Sequence, residues 1–428
     1  MPINSFNEWT SYIMKNILYL LLFFIFTISA LAADIRFYNI NDVYGTSIRE
    51  VYSITKDDNG FIWGASKTGI LRISSNNCRK YQLPHKSTDI YFTRLDYSDS
   101  TLIAYTNNSQ IFKYDPLYDR FDLLVDLKRL LNNEYIATKR AVVDKNKSIW
   151  IGTSNGLYKY ENHQLKLKVH DLEIVFISKY TSNSLFLATP EGMAIFHTDT
   201  DKLEYIYKYS RDNELEVSSF LYDAQTNKLW IGTISNGLWS YDLSNRQLLN
   251  KEANKLPRQP MLSIKKNTTS SLLIGIDGQG LWELSENGDK VLNIYKEDVN
   301  DFFSLHGDGV YDIFCDDNER IWVATYTGGL SFFEQKIFPV NQITHQINNS
   351  NSLINNHVNK VIEDKKGNIW FATNNGVNRW NPKSNKWDAF YDNKQEQAKV
   401  FLALCEDNDG NIWAGSYSSG VYVLRSEE

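Results

Sequence analysis

After residue 33 the apolar positions fall in short alternating runs separated by polar turns, and helical periodicity of useful length is absent. One unit accounts for most of this pattern. Its clearest copies read GFIWGASKTGILRI (60–73), SIWIGTSNGLYKY (148–160), KLWIGTISNGLWSY (228–241), RIWVATYTGGLSFF (320–333), NIWFATNNGVNRW (368–380) and NIWAGSYSSGVYVL (411–424). Weaker copies lie at 101–114, 184–196 and 271–284, so the anchor residue recurs as Trp63, Ile103, Trp150, Phe186, Trp230, Leu273, Trp322, Trp370 and Trp413. The steps between anchors are 40, 47, 36, 44, 43, 49, 48 and 43 residues. Each copy predicts an inner strand, such as that around Val51 and Ile54, and then a polar turn with Asp six residues before the Trp: Asp57, Asp144, Asp316, Asp364 and Asp407. Asp and Gly suit such turns, because the Asp side chain bonds its own backbone and Gly accepts a positive φ. A strand around the Trp follows, then a loop of small residues and a Gly opening a third strand: Gly69, Gly156, Gly237, Gly280, Gly329, Gly376 or Gly420. A polar fourth strand, as at 79–82, completes the unit. Four short strands every 40–50 residues define a β-propeller blade, and the fold class is all-β.

The unit D-x-x-G-x-I-W-x-G-T-x-x-G-L resembles the two-component-regulator propeller repeat, and the resemblance covers about 390 of the 428 residues. It implies the exported sensor region of a bacterial hybrid two-component system of the Bacteroidetes type. There, two seven-bladed propellers and a β-sandwich precede a spanning helix, a histidine kinase, a receiver and a DNA-binding domain. Nine copies and none of those later parts are present here. The expected architecture is a seven-bladed propeller of four-stranded blades over 33–334, then two blades of a second, incomplete propeller over 335–428. The segment Arg36–Ile40 is expected to supply the outer strand of blade seven, and a similar segment, 337–343, precedes blade eight. Two blades cannot close a ring, so the second part is expected to be incomplete or completed by a partner.

Residues 1–32 read as a signal peptide: Lys15, an apolar run Ile17–Ile28, and an A-x-A site at Ala30 and Ala32 with cleavage before Ala33. The competing reading is an uncleaved anchor, since the apolar stretch approaches spanning length. Both place the remainder outside the cytoplasm, in the periplasm. The net charge of −6 lacks the concentrated basic face of a nucleic-acid binder, and 14% aromatic residues exclude general disorder. Cys78, Cys315 and Cys405 cannot all pair and lack metal or redox spacing.

Catalytic signatures are absent. Asp57-Asp58-Asn59-Gly60 and Asp407-Asn408-Asp409-Gly410 resemble the start of a calcium loop but lack its later ligands, and their fixed repeat position favours a turn. The Asp316–Asp317 pair falls under the same reading. The histidines, His85, His163, His170, His197, His306, His345 and His357, show no ligand spacing. No catalytic residue, metal or cofactor is expected, and the repeated Trp reads as blade packing rather than a sugar platform. Trp239 and Trp282 read the same way.

A ligand is expected where the loops between second and third strands meet the connections between blades. Asn107, Asn155, Asn236, Asp277, Gln279, Tyr326 and Asn375 lie in those loops, with Arg49, His306 and Asp308 in the connections. Amides, carboxylates and an aromatic ring suit hydrogen bonding to and stacking on a sugar; a solvated polar rim is the plainer alternative. The resemblance implies an oligosaccharide from polysaccharide breakdown as ligand and a homodimer in the full sensor. It implies no nucleic acid for this part, with membrane contact only through later segments or an uncleaved leader. Two other classes compete: an exported scaffold that binds protein, and a propeller polysaccharide lyase or glycosidase.

Overall fold

The computed structural model describes residues 35–84, 92–210, 215–250, 256–316, 320–334, 343–390 and 399–425. The leader, the site before Ala33, His85, Asp317 and most of the 337–343 segment lie outside the described residues. Nine antiparallel sheets follow one another along the chain; eight are built of consecutive strands, and the seventh takes its outer strand from the start of the described residues. Eight have four strands, and in the ninth the described residues form three. Blade one runs Ser53–Lys56, Ile62–Ser66, Gly69–Ile73, Cys78–Tyr81, slightly displaced from the expected inner and outer strands. The inner strands of the next six blades are Thr93–Ser98, Thr138–Val143, Phe176–Thr181, Val217–Asp223, Met261–Lys266 and Val310–Cys315. Each packs against the next, and the seventh packs against the first, so these blades form a closed ring. The inner strands of blades eight and nine, Val358–Glu363 and Phe401–Glu406, pack on each other.

The repeat residues explain the blade. Asp57, Asp144, Asp364 and Asp407 each turn one carboxylate oxygen to backbone N–H groups of the hairpin and receive the anchor indole on the other. The Nε1–H of Trp63, Trp150, Trp370 and Trp413 donates over 2.8, 2.9, 2.8 and 2.8 Å. A buried indole N–H needs an acceptor, and the six-residue spacing supplies one. Asn267 takes the turn role in blade six, where Leu273 has no N–H to offer. Asp316 departs from the rule: it pairs with Lys56 of blade one, and Trp322 Nε1 has no partner among the described residues. Asp144→Ala is therefore expected to lower stability by about 1–3 kcal/mol, the range for orphaning a buried donor, measured by chemical denaturation.

A second lock sits across the loop before the third strand. Thr153, Thr189, Thr233 and Thr373 donate their hydroxyls to the carbonyls of Gly156, Gly192, Gly237 and Gly376. At Gly192 the φ is 150°, and any Cβ would collide with the Tyr207 carbonyl of the outer strand.

Ring closure falls to the first described residues. Tyr38–Asn39 pairs antiparallel with Gly329–Glu334, Tyr38 opposite Phe332 and Asn39 opposite Ser331. The expected five-residue strand is only two residues long, because Asn39 caps a short helix, Ile40–Tyr44, by accepting from Asn41 N–H. The Asn39 amide also donates to Gly328 O and Ser331 Oγ, at 2.6 and 3.1 Å. Phe37, 2% exposed, wedges between Tyr295 and Phe333.

Asp407 shows the electrostatics of these turns. Donation from Trp413 Nε1–H, and next from Asn411, holds its carboxyl down at about 2. A depressed folded value gives stabilisation that is complete above the unfolded value near 4 and lost as pH falls through about 2. The protection of blade-nine amides relative to their intrinsic exchange rates is therefore expected to fall across that acid window, and Asp407→Asn to remove much of the dependence.

Candidate functional site

Around the first ring, one inner-strand position is set by register: it pairs with the residue two beyond each anchor. In chain order it holds Ser53, Arg94, Arg140, Phe176, Ser219, Ser263 and Asp312, opposite Ala65, Tyr105, Gly152, Ala188, Gly232, Gly275 and Ala324. Four of these side chains stitch their blade to the next. Ser53 Oγ accepts from Leu95 N, Ser219 Oγ donates to Met261 O, and Ser263 Oγ donates to Asp312 Oδ1. Asp312 Oδ2 then accepts from Ile54 N at 2.9 Å, closing the circle. Arg94 and Arg140 make no such stitch. The Arg140 guanidinium lies 4.3 Å from the Phe176 ring centroid, and that of Arg94 lies 5.9 Å from Phe92.

One step nearer the loop face, the pairing slips in blades three, five, six and seven, leaving Lys139, Ser218, Leu262 and Tyr311 as bulged residues. Bulges re-aim side chains, here where the inner strands begin at the channel mouth. Tyr52 holds the corresponding place in blade one. Its ring meets Tyr311 edge-on at 5.4 Å, and Tyr311 stacks on Tyr326 at 5.8 Å. Tyr52 Oη donates to Glu50 Oε2 over 2.8 Å. Burial, with Asp277 next in weight, raises the Tyr311 phenol above its ordinary range. Burial first, then the Glu50 hydrogen bond, does the same for Tyr52.

The expected ligand residues separate into groups. Asn107, Asp277 and Tyr326 occupy the same loop position, each donating its N–H to a carbonyl just before its own inner strand: Phe92, Pro260 and Gly309. Asp277 and Tyr326 both flank Gly309 and so share the tyrosine cluster; an ideal Cβ there would lie 3.4 and 3.3 Å from them. His306 and Arg49 serve the blade-seven loop through their carbonyls, which accept from Thr325 Oγ1 and Gly329 N. The His306 ring lies 3.9 Å from Asp42, away from the tyrosines. Asp308 accepts from Glu297 N, and Asn155 accepts from Thr153 Oγ1. The backbone N–H of Asn375 donates to Thr373 Oγ1. Asn236 and Gln279 are pinned by their carbonyls, which accept from Trp239 and Trp282 Nε1–H, both at 2.9 Å. Gln279 also accepts from Lys296. The last-named five show no contact with the tyrosines. Sequence reasoning missed Tyr52, Tyr311, Glu50, Arg94 and Arg140. The matching runs Val51-Tyr52-Ser53-Ile54 and Val310-Tyr311-Asp312-Ile313 were the available signal.

The calcium-like turns spend their carboxylates internally: Asp407 accepts from Asp409 N, Asn411 N and Nδ2, and Trp413 Nε1. Among the described residues no group of three or more His, Cys, Asp or Glu could hold a metal. A surface groove of 490 Å³ lies apart from the channel, lined by Leu130, Leu131, Tyr158 and the His163–Leu167 edge of blade three. Its lining mixes leucines with Tyr158, His163, Gln164 and Lys166, and it lies on the outer strand of blade three, away from the inner strands and the loops expected to bind a ligand.

Residues 304–327, 352–375 and 396–418 match the two component regulator propeller model, and the chain carries that repeat. The structure resembles the extracellular domain of the hybrid two component system BT3049 from B. thetaiotaomicron (TM-score 0.58, 19% identity), covering 92% of this chain and 54% of that one. That of BT4673 from the same organism gives 0.57 and 21%, covering 92% and 52%. The WD40 beta propeller domain of Doa1 gives 0.50 and 11%, covering 67% of this chain and 94% of that domain. This chain spans about half the length of the two extracellular domains. No curated protein matches the sequence. The matched model is a regulator propeller and the neighbours are extracellular domains and a propeller domain; no catalytic family is indicated. Among the described residues no helix is long and apolar enough to cross a membrane.

Proposed function

We propose that this chain is the exported, periplasmic ligand-sensing part of a hybrid two-component regulator, that it recognises an oligosaccharide at the mouth of the first ring, and that the signal passes to a kinase beyond this chain. The observation that carries the reading is the mouth itself: three tyrosine rings in sequence, with Glu50 and Asp277 beside them, on a propeller of the type found in extracellular sensor domains. Tyrosine faces stack on the apolar faces of sugar rings, and carboxylates accept from their hydroxyls. Binding need only favour the signalling arrangement of a dimer over the resting one.

Tyr326 is 47% exposed and contributes little to the core. Tyr326→Ala is expected to leave the melting temperature nearly unchanged and to weaken binding of an active oligosaccharide by roughly 10-fold, the order of one aromatic contact. Calorimetric titration against a panel of polysaccharide digests checks this; unchanged affinity removes the mouth from the reading. The kinase half is tested by sequencing the gene beyond the codon for Glu428. Continuation into further repeats, a spanning helix and a kinase supports it, and a stop codon there overturns it.

A protein-binding scaffold is favoured by one observation. Blade nine exposes Leu402, Trp413, Tyr417, Val421 and Val423, whereas Trp63 and Trp150 are fully buried beneath a following blade. A further blade covers the same surface equally well, and under the proposed division at 334/335 it belongs to the second propeller.

A further inference from the structure

We propose that Arg94 and Arg140 form an anion-binding subsite in the channel wall, taking a carboxylate or sulfate borne by the sugar ligand. This rests on the oligosaccharide reading above and narrows it to acidic sugars.

The two arginines occupy the same ring position in neighbouring blades, whose inner strands pack together. Both are partly buried, and neither has an ion pair among the described residues. Arg72, Arg320 and Arg379, also partly buried, each meet a carboxylate: Asp119, Glu334 and Asp388. The nearby acids are already committed. Asp312 accepts from Ile54 N, Ile313 N and Ser263 Oγ, and Asp96 accepts from Val143 N and pairs with Lys179. Desolvation first, then repulsion from Arg140, pushes the Arg94 guanidinium down to about 10, which leaves it charged at neutral pH. The two like charges repel across an empty channel, and Asp312, the carboxylate that attracts Arg94, is shared with Ile54 N, Ile313 N and Ser263 Oγ. An anion between them relieves that, and the guanidinium fork suits bidentate binding of carboxylate or sulfate. Tyr326, 47% exposed and backed by Tyr311, completes the site as a stacking surface for the sugar ring.

The full chain should be titrated calorimetrically with tri-galacturonate, a hyaluronan tetrasaccharide and a sulfated chondroitin tetrasaccharide. Neutral galactotriose, citrate and inorganic sulfate serve as comparisons. We expect at least one acidic sugar to bind roughly 10-fold or more tightly than the neutral one, as charge-assisted bonds warrant. Comparing hyaluronan with sulfated chondroitin tells carboxylate from sulfate. R94Q/R140Q should abolish the acidic preference while holding or raising the melting temperature, because it removes a desolvated, mutually repelling charge pair. Equal affinity for acidic and neutral sugars, an acidic preference that survives in the double variant, a fall of several degrees in its melting temperature, or no binding of any acidic probe at millimolar concentration overturns the proposal. Neutral binding alone leaves the sugar reading standing without this subsite. Arginine-dependent binding of citrate or sulfate, with none of the sugars, keeps the subsite and removes the sugar reading.

Discussion

Phe37→Ala is expected to destabilise the protein by about 3–5 kcal/mol, the range for truncating a buried aromatic side chain. Few single changes remote from the channel should cost more. The ring sits between Tyr295 and Phe333 at 5.6 and 4.8 Å, within the cluster that joins blades six and seven. Its backbone N–H donates to Phe303 O at 2.8 Å, next to the two-residue pairing that closes the ring. A propeller blade stacks on both neighbours, so a loosened seventh blade also exposes the flank of the first. Loss should therefore reach Trp322 and Ile54, which share one cluster across the seam. Equilibrium denaturation measures it; a change under about 1 kcal/mol would mean that the inner-strand bonds, such as Asp312 to Ile54, hold the ring without the clasp.

Trp150→Ala should have a comparable effect, again about 3–5 kcal/mol. Its side chain is fully buried, meets Phe196 of the next blade edge-on at 5.4 Å, and ties its own hairpin to Asp144. The same change at Trp413 should cost far less, because that ring is 41% exposed with no following blade upon it among the described residues. Neither change should alter sugar binding at the first ring. Weakened binding at unchanged stability would make the repeated Trp a ligand platform rather than packing.

The repeat was legible because packing and turn geometry fix the same residues in every blade. Trp63, Asp57 and Gly69 do identical physical work in Trp150, Asp144 and Gly156. The constant spacing of Asp and Trp signalled a turn, while the indole–carboxylate bond behind it emerged only in three dimensions. Asp316 shows the limit of the pattern: it keeps the spacing, yet Lys56 from the neighbouring blade claims the carboxylate. Such a competitor lies 260 residues away in sequence.

The site was less legible, for a reason of register. Loop residues such as Asp277 and Tyr326 stand out as polar or aromatic between strands, and they do reach the mouth. Tyr52, Tyr311, Arg94 and Arg140 lie inside strands, where a sequence reading assigns them to blade faces. The bulge that frees Tyr311, and the equivalence of Arg94 with Ser53, follow only from which residue faces which across the sheet. Asn155 and Asn236 have the right chemistry in the right loops, but their bonds serve the loops themselves.

Hydrogen–deuterium exchange of the full chain, with and without a saturating oligosaccharide, tests the central claim most directly. The account predicts protection at residues 50–54, 92–95, 138–141, 277–279 and 309–327, where inner strands and loops of the first ring meet at the channel mouth. Protection centred instead on the 130–131 and 163–167 groove or on blades eight and nine, with the mouth unchanged, would contradict it.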